Sequence, residues 1–369
     1  MSSTSADVQA VIQLMHHLKV EPEELLAATR PHNMVTFEQF MPLVLDPRTG
    51  QPTARHQKSY CNRIVSSWGS RRLDEPTVRE VRDLIEHFRS TAARRRDHTD
   101  GSGAALNAYN ALNSVYLFAM QEGVLSSRQN PMVWVTKPRQ AKSKRQALSS
   151  QLVQEISRVA ATTGHDPRLD SLLIRLHLET AARPSGARRL LLKDLDPTRL
   201  LITLREKGLE RLQPVSRTLM DALLDHARER GVCDGEFRLL RNSDGTPVTQ
   251  KRYYGLWDRL RKYIKAVDEG NITMYWLRHT TLTWVERNFG PAVARAFAGH
   301  AESHLWYGVT TRYVKAGLQE IATALQALTG EPHPLALPGS FVVQSSEILP
   351  AAVHAAPVRS ELSGDQDRL

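Results

Sequence analysis

Residues 200–215 read LLITLREKGLERLQPV, and in this chain of 369 residues they have the pattern that is typical of β-strands. Leu200–Leu204 is a short apolar run, and Arg211–Val215 is a candidate hairpin partner for it. Gly208 lies between the two runs and would let the hairpin tip approach another molecule closely. Because the flanking segments have helical periodicity, the expected fold is mainly α with a small antiparallel β-sheet (α+β).

The segments around this hairpin predict a helical unit over residues 148–330. Ser149 or Ser150 can cap a helix that runs through Val159. Apolar residues at helical spacing predict the remaining helices at about 167–180, 216–230, 249–266, 278–288, 291–298 and 315–328.

A second, all-helical unit is expected over residues 51–137. Helices are predicted at about 53–68 and 105–122, and Thr77 is the expected N-cap of a helix between them. The apolar face of that middle helix consists of Val78, Val81, Leu84, Ile85 and Phe88.

Three further segments complete the expected organisation. Residues 1–50 form a small N-terminal extension, with two short helices within 6–29. Residues 138–147 are a basic linker, and residues 331–369 are rich in Pro, Ala and Ser and are expected to be a disordered tail.

The positive charge is concentrated in the two helical units. Residues 51–147 carry 17 basic and 8 acidic side chains, and residues 148–330 carry 27 and 20, within a formal net charge of +10. Such a field suits a phosphate backbone, although an ordinary solvated basic surface is nearly as good an interpretation of charge alone. Cys61 and Cys233 have no ligand-like spacing, so neither a zinc site nor a disulfide framework is indicated.

No apolar stretch of membrane-spanning length and no leader pattern is found, so a cytoplasmic protein is expected. A P-loop and a Gly-rich nucleotide motif are also missing from the sequence, so no cofactor and no metal are expected.

Four places in residues 148–330 carry candidate chemistry. They are Thr180-Ala-Ala-Arg183 with the later Leu190-Leu-Leu-Lys-Asp-Leu-Asp196, Glu206-Lys-Gly-Leu-Glu-Arg211, Tyr275-Trp-Leu-Arg-His-Thr280 with Ala298-Gly-His300, and Thr310-Thr-Arg-Tyr-Val-Lys315. In order and separation these motifs resemble the tyrosine recombinase (phage integrase) family, and the resemblance extends over about 53–328. It implies a core-binding domain of the SAM-like type at 51–137, a catalytic domain at 148–330, and a C-shaped clamp around DNA.

The resemblance also implies a catalytic set of Arg183, Lys207, Tyr275, Arg278, His300 and Tyr313. Tyr313 would attack a phosphodiester to give a 3′-phosphotyrosyl link, which keeps the bond energy, so that rejoining needs neither ATP nor metal. Planar guanidinium groups at Arg183 and Arg278 would stabilise the charge on the phosphate oxygens. Lys207 would protonate the departing 5′-oxygen, and His300 would bind the phosphate or orient the tyrosine.

Two positions depart from the family pattern. Tyr275 stands where the family has histidine, and a phenol, with a reference pKa of about 10, is a poor general base near neutral pH. Gly186 stands where the family commonly has an acidic side chain that braces the arginine. For the nucleophile, Tyr307 is the alternative to Tyr313, with a nearer spacing to His300 but without the Thr-Thr-x-Tyr-Val frame.

Exposed cations are expected to contact DNA phosphates. The candidates are Arg55, Lys58, Lys137, Arg139, Lys142, Lys144, Arg145, Lys251 and Arg252. On the helix at about 251–265, Arg259 and Arg261 are expected to face DNA as well, while Tyr253, Tyr254 and Trp257 pack inward. The amphipathic segment Leu318–Leu328 is a candidate for docking on a neighbouring protomer, with packing on its own domain as the alternative.

The function that these motifs favour is site-specific DNA recombination or integration, with integration of a mobile element as the sharper expectation. The expected partners are double-stranded DNA with specific recombination sites, three further copies of the chain in a homotetramer, and accessory DNA-bending or directionality proteins. A type IB topoisomerase, a DNA-binding protein with a decayed active site, and a basic helical adaptor are the alternatives.

Overall fold

The computed structural model describes residues 3–18, 35–46, 54–92, 100–139, 146–206, 208–299 and 316–339. The chain divides into two compact units, Met1–Ser143 and Lys144–Leu369, each with its own hydrophobic core. The boundary falls inside the predicted linker 138–147. Among the described segments, no helix is long and apolar enough to cross a membrane.

The first unit is helical. Its helices are α1 (Ser3–Leu18), α2 (Phe37–Leu45), α3 (Ala54–Trp68), α4 (Val78–Ser90) and α5 (Ser102–Gln121), followed by short 3₁₀ turns at Ser127–Gln129 and Pro131–Trp134. Large apolar side chains from α2, α3, α4 and α5 form the core, among them Phe37, Ile64, Phe88 and Leu112.

The predicted cap of α4 is confirmed. Thr77 Oγ1 accepts a hydrogen bond from the Glu80 backbone N–H at 3.3 Å, and Glu80 Oε2 accepts one from the Thr77 N–H at 2.8 Å. This reciprocal pair satisfies donors that the first turn leaves open. Helix α2 was not predicted, although Thr36 and Gln39 form the same kind of capping box ahead of it.

The second unit contains the remaining elements. They are α6 (Ser150–Thr162), α7 (Pro167–Thr180), α8 (Pro184–Ala187), β1 (Leu195–Asp196), β2 (Leu201–Glu206), β3 (Leu209–Pro214), α9 (Arg217–Glu229), α10 (Gln250–Tyr263), α11 (Lys265–Glu269), α12 (Met274–Phe297) and α13 (Leu318–Thr329). Helix α7 is buried over most of its length and is central to the core. Helix α12 breaks at Gly290, where φ is 81°, and Pro291 starts its second part, as the two predicted helices required.

The predicted hairpin is confirmed and is longer than expected. Strands β1, β2 and β3 form one antiparallel sheet, in which the β2–β3 register runs from Leu201 opposite Pro214 to Glu206 opposite Leu209. Two residues connect the strands, and the second, Gly208, has a φ of 79° that glycine adopts at little cost. The first is Lys207, which lies outside the described residues.

The C-terminal part of the described chain packs on its own unit. Ile321, Leu325 and Leu328 of α13 lie in the core of the second unit, which favours the intradomain alternative for this amphipathic helix. The chain after Gly330 also differs from the predicted tail as far as residue 339, because the buried His333 makes a hydrogen bond to the Leu200 carbonyl at 3.1 Å.

A buried ion cluster joins α7 to α10. Asp170 is fully buried, and its carboxylate accepts from Arg252 Nη2 at 2.6 Å and from Arg259 Nη2. The guanidinium of Arg259 therefore faces inward, which contradicts its expected DNA-facing orientation. Arg261 pairs with Asp258 at 2.6 Å, and Tyr254 is 63% exposed and does not pack inward as expected.

We expect Asp170→Asn to destabilise the second unit by about 3 kcal/mol, because the change leaves two half-buried cations without their carboxylate. The matched control is Asp258→Asn on α10, whose carboxylate is 67% exposed and also pairs with one arginine. That change should cost less than about 1 kcal/mol. Urea unfolding of the two variants measures the difference, and equal losses would contradict the account of this cluster.

Candidate active site

Arg183 is held by the backbone that leaves helix α7. Ala181 ends the helix with a left-handed φ of 49°, and Arg183 is extended and precedes Pro184 at the start of α8. The buried ring of His177 bonds through Nδ1 to the Ala182 carbonyl at 2.7 Å and through Nε2 to the Tyr253 hydroxyl at 3.0 Å. Burial lowers the pKa of His177 to about 4, so the ring is neutral at pH 7. Its hydrogen bond to Ala182 holds the backbone next to Arg183 in place.

One buried carboxylate, Glu206 at the end of β2, is the centre of the site. Its Oε1 accepts from the Arg183 backbone N–H at 2.5 Å, and its Oε2 accepts from Arg183 Nη1 at 2.6 Å. The same Oε2 lies 3.7 Å from Arg211 Nε and 3.9 Å from Arg278 Nη1. Three guanidinium groups around one carboxylate leave an excess of positive charge, which is the electrostatic requirement for binding a phosphate.

Arg278 joins the site from the first part of α12. It donates from Nη1 to the Ala181 carbonyl and from Nη2 to the Ala298 carbonyl at 2.8 Å. Burial, together with the charge of Arg183, lowers the pKa of its guanidinium to about 10, so the group stays cationic near neutral pH. The two arginines predicted from widely separated motifs are thus brought together.

Arg211 on β3 is a third cation that the sequence interpretation did not assign a role. It donates to the Phe297 carbonyl at 3.0 Å and to the Thr180 carbonyl at 3.1 Å. Burial lowers its pKa to about 10. Arg211 and Arg278 together tie the end of α7 to residues 297–298, just before the Gly-His motif.

Gly299 in that motif has both a conformational and a steric reason to be glycine. Its φ is 60°, and a Cβ at this position would lie 2.2 Å from Arg211 Cδ. Gly330 also has a positive φ, 74°, but a Cβ there would meet no atom within 4 Å. Substitution at Gly330 therefore measures the free-energy cost of the backbone conformation alone, and substitution at Gly299 measures that cost together with the steric clash.

We expect Gly330→Ala to cost about 1–2 kcal/mol, the penalty for a left-handed alanine. Gly299→Ala should cost at least about 1 kcal/mol more, because Arg211 must move from its buried position. Thermal unfolding of both variants measures the two values. If Gly299→Ala were no worse than Gly330→Ala, the tight packing of Arg211 on Gly299 would be refuted.

Tyr275 lies one helical turn before Arg278 and is 44% exposed. Its phenol is among the groups that influence the pKa of Arg278, which puts it in the same electrostatic environment. The remaining predicted catalytic residues, Lys207, His300 and Tyr313, lie outside the described residues, as does Tyr307. Their roles stay predictions.

The predicted DNA contacts differ in their surroundings. Lys58, Lys137, Arg139 and Lys251 are exposed, whereas Arg252 is half-buried and bonded to Asp170. Arg55 lies in α3, but its side chain is outside the described part of the structure. Lys142, Lys144 and Arg145 lie wholly outside the described residues. Contact with DNA stays a prediction for each of these residues.

Comparison with known proteins identifies the fold. No family model and no curated protein sequence matches the chain. Among solved structures, the chain has the fold of DNA integrases of the tyrosine recombinase type, as the motifs predicted. The likeness shows the fold alone, because the identities to these structures are below one fifth.

Two integrases represent these structures. A lambda integrase tetramer bound to a Holliday junction has 15% identity and a TM-score of 0.57, over 83% of this chain and 89% of that one. The Tn1549 transposon integrase in complex with transposon right end DNA has 19% identity and a TM-score of 0.57, over 72% of this chain and 92% of that one.

Proposed function

We propose that this protein is a site-specific DNA recombinase of the integrase type, which cuts and rejoins DNA through a 3′-phosphotyrosyl intermediate without metal or ATP. One observation supports this most strongly. Arg183 and Arg278, which come from separate motifs, meet at the carboxylate of Glu206 in a fold shared with integrases. The function of a basic helical adaptor does not require two arginines from separate motifs to meet at one carboxylate.

The chemistry assigns each group one task. The Tyr313 hydroxyl gives up its proton to water as its oxygen attacks the phosphorus. A bond forms from that oxygen to the 3′-phosphate, and the bond from phosphorus to the 5′-oxygen breaks. Lys207 supplies the proton that the 5′-oxygen takes up, and His300 binds the phosphate or orients Tyr313. Arg183 and Arg278 stabilise the charge that develops on the non-bridging oxygens, and their fixed partners avoid reorganisation during the reaction.

The proposed partners follow from the same function. They are double-stranded DNA with specific recombination sites and further copies of this chain in a homotetramer, with accessory DNA-bending or directionality proteins. The exposed cations Lys58, Lys137, Arg139 and Lys251 would bind DNA phosphates and fix the position of the duplex. Integration of a mobile element is the proposed biological role.

A second candidate is a DNA-binding protein with a decayed active site, and Tyr275 is the observation that favours it. This residue occupies the position of the family histidine beside Arg278, with 44% of its surface exposed. Such a protein would bind the same duplex without cutting it.

The test is a trapping assay with wild-type protein in EDTA and without ATP. The substrate is a duplex from beside the gene, nicked close to the presumed crossover so that the cleaved fragment diffuses away. A covalent protein–DNA band and recovery of joined products support the recombinase, and relaxation of any plasmid without a specific site indicates a type IB topoisomerase. Specific binding without a band would overturn the proposal in favour of the decayed site.

A further inference from the structure

Position 186 lacks the acidic side chain that the family resemblance leads one to expect. The space beside it is occupied by the carboxylate of Glu206, at the end of β2. A Cβ at Gly186 would lie 2.6 Å from both Cγ and Oε1 of Glu206. Gly186 lies in helix α8, so its backbone would accept a side chain. The glycine is therefore required by the space that Glu206 occupies.

Glu206 makes the contacts that a bracing acid would make. It binds Arg183 through both the backbone N–H and the guanidinium, at 2.5 and 2.6 Å. It also lies within 4 Å of the cationic groups of Arg211 and Arg278. Only 3% of its side chain is exposed, so Glu206 orients the arginines without contacting a bound phosphate itself.

We propose that Glu206 is the positioning residue of the site, and that Gly186 and Glu206 are an exchanged pair in which the bracing acid has moved from α8 to the end of β2. This inference rests on the proposed recombinase function. Since Glu206 directly precedes Lys207 in the chain, the exchange also couples the strand that leads to the lysine to the orientation of both arginines.

The exchange predicts how substitutions at the two positions combine. Glu206→Gln keeps the shape but removes the charge, and we expect it to lower single-turnover cleavage by about 10–100-fold, with the Kd for DNA unchanged. Glu206→Ala should be at least as impaired. Gly186→Glu alone should also be impaired, because its side chain collides with Glu206 and adds a second carboxylate.

The double variant Gly186→Glu with Glu206→Ala restores a single acid beside Arg183, and its cleavage rate should exceed that of either single variant by about tenfold. Glu210→Gln is the matched control, because Glu210 lies on the same hairpin, pairs with Arg205 at 2.6 Å and is 65% exposed. It should cleave within about twofold of wild type.

Cleavage by Glu206→Gln at the wild-type rate, or a double variant that cleaves no faster than the better of Gly186→Glu and Glu206→Ala, would overturn the exchange. If wild-type protein forms no covalent complex, the proposed function fails and the exchange is judged by stability. In that case the thermal unfolding midpoints of Gly186→Glu, Glu206→Ala and the double variant are compared. The double variant should unfold at a higher temperature than either single variant. Additive losses would overturn the exchange in that case too.

Discussion

Replacement of Tyr313 by phenylalanine is expected to abolish the covalent protein–DNA complex. Phenylalanine lacks the hydroxyl that takes the phosphate, and removing a nucleophile costs on the order of 10⁴-fold or more in rate. The arginines and the exposed cations are unchanged in this variant, so its Kd for the recombination site should equal that of wild type. Trapping on the nicked duplex, with a parallel gel-shift titration, measures the two quantities.

Tyr307→Phe is the matched control for that variant, since Tyr307 is the other tyrosine that closely follows His300. It should form the covalent complex at close to the wild-type rate. A complex that survives in Tyr313→Phe and is lost in Tyr307→Phe would reassign the nucleophile and show that the last motif was aligned wrongly.

Arg278→Ala is expected to lower the cleavage rate by about 10²–10³-fold, the usual effect of removing one group that stabilises a developing oxyanion. The substitution also removes the hydrogen bonds to the carbonyls of Ala181 and Ala298, which join α7 to the end of α12. Arg278→Lys keeps the charge but lacks the planar fork that reaches both carbonyls, so it should recover only part of the rate.

Arg287→Ala is the control on the same helix, because Arg287 is exposed there. It should cleave within about twofold of wild type. Single-turnover rates for Arg278→Ala, Arg278→Lys and Arg287→Ala, with folding verified by circular dichroism, make the comparison. Equal cleavage rates in Arg278→Ala and Arg287→Ala would show that Arg278 has no role in the reaction.

Local patterns were sufficient to predict much of the fold. Helical periodicity predicted the helices on either side of the sheet, and the apolar run Leu200–Leu204, with Arg211–Val215 as its candidate partner, predicted the β2–β3 hairpin. The sequence predicted Thr77 as an N-cap, and the structure shows a full capping box there. The same kind of box at Thr36, ahead of a helix that contains Pro42, was not predicted. The meeting of Arg183 and Arg278 was not a local signal; it was implied by the resemblance to the tyrosine recombinase family.

The buried charges were not predicted, for a physical reason. Charged residues are rarely buried unless they are paired, and the partner here comes from a different element each time. Glu206 and Arg211 belong to the lysine-bearing segment, and nothing in that segment indicates their contacts with α7, α8 and α12, which depend on tertiary packing. Arg259 was placed on a DNA-facing surface because nothing local indicates Asp170, which lies on another helix.

The most direct test of the account is to identify the DNA-bearing residue in the trapped complex. The complex formed on the nicked duplex in EDTA is digested with nuclease and protease, and the nucleotide-bearing peptide is sequenced by mass spectrometry. The account predicts a nucleotide joined through its 3′-phosphate to Tyr313. A nucleotide joined through a 5′-phosphate, attachment to another residue, or tight specific binding with no attachment would contradict it.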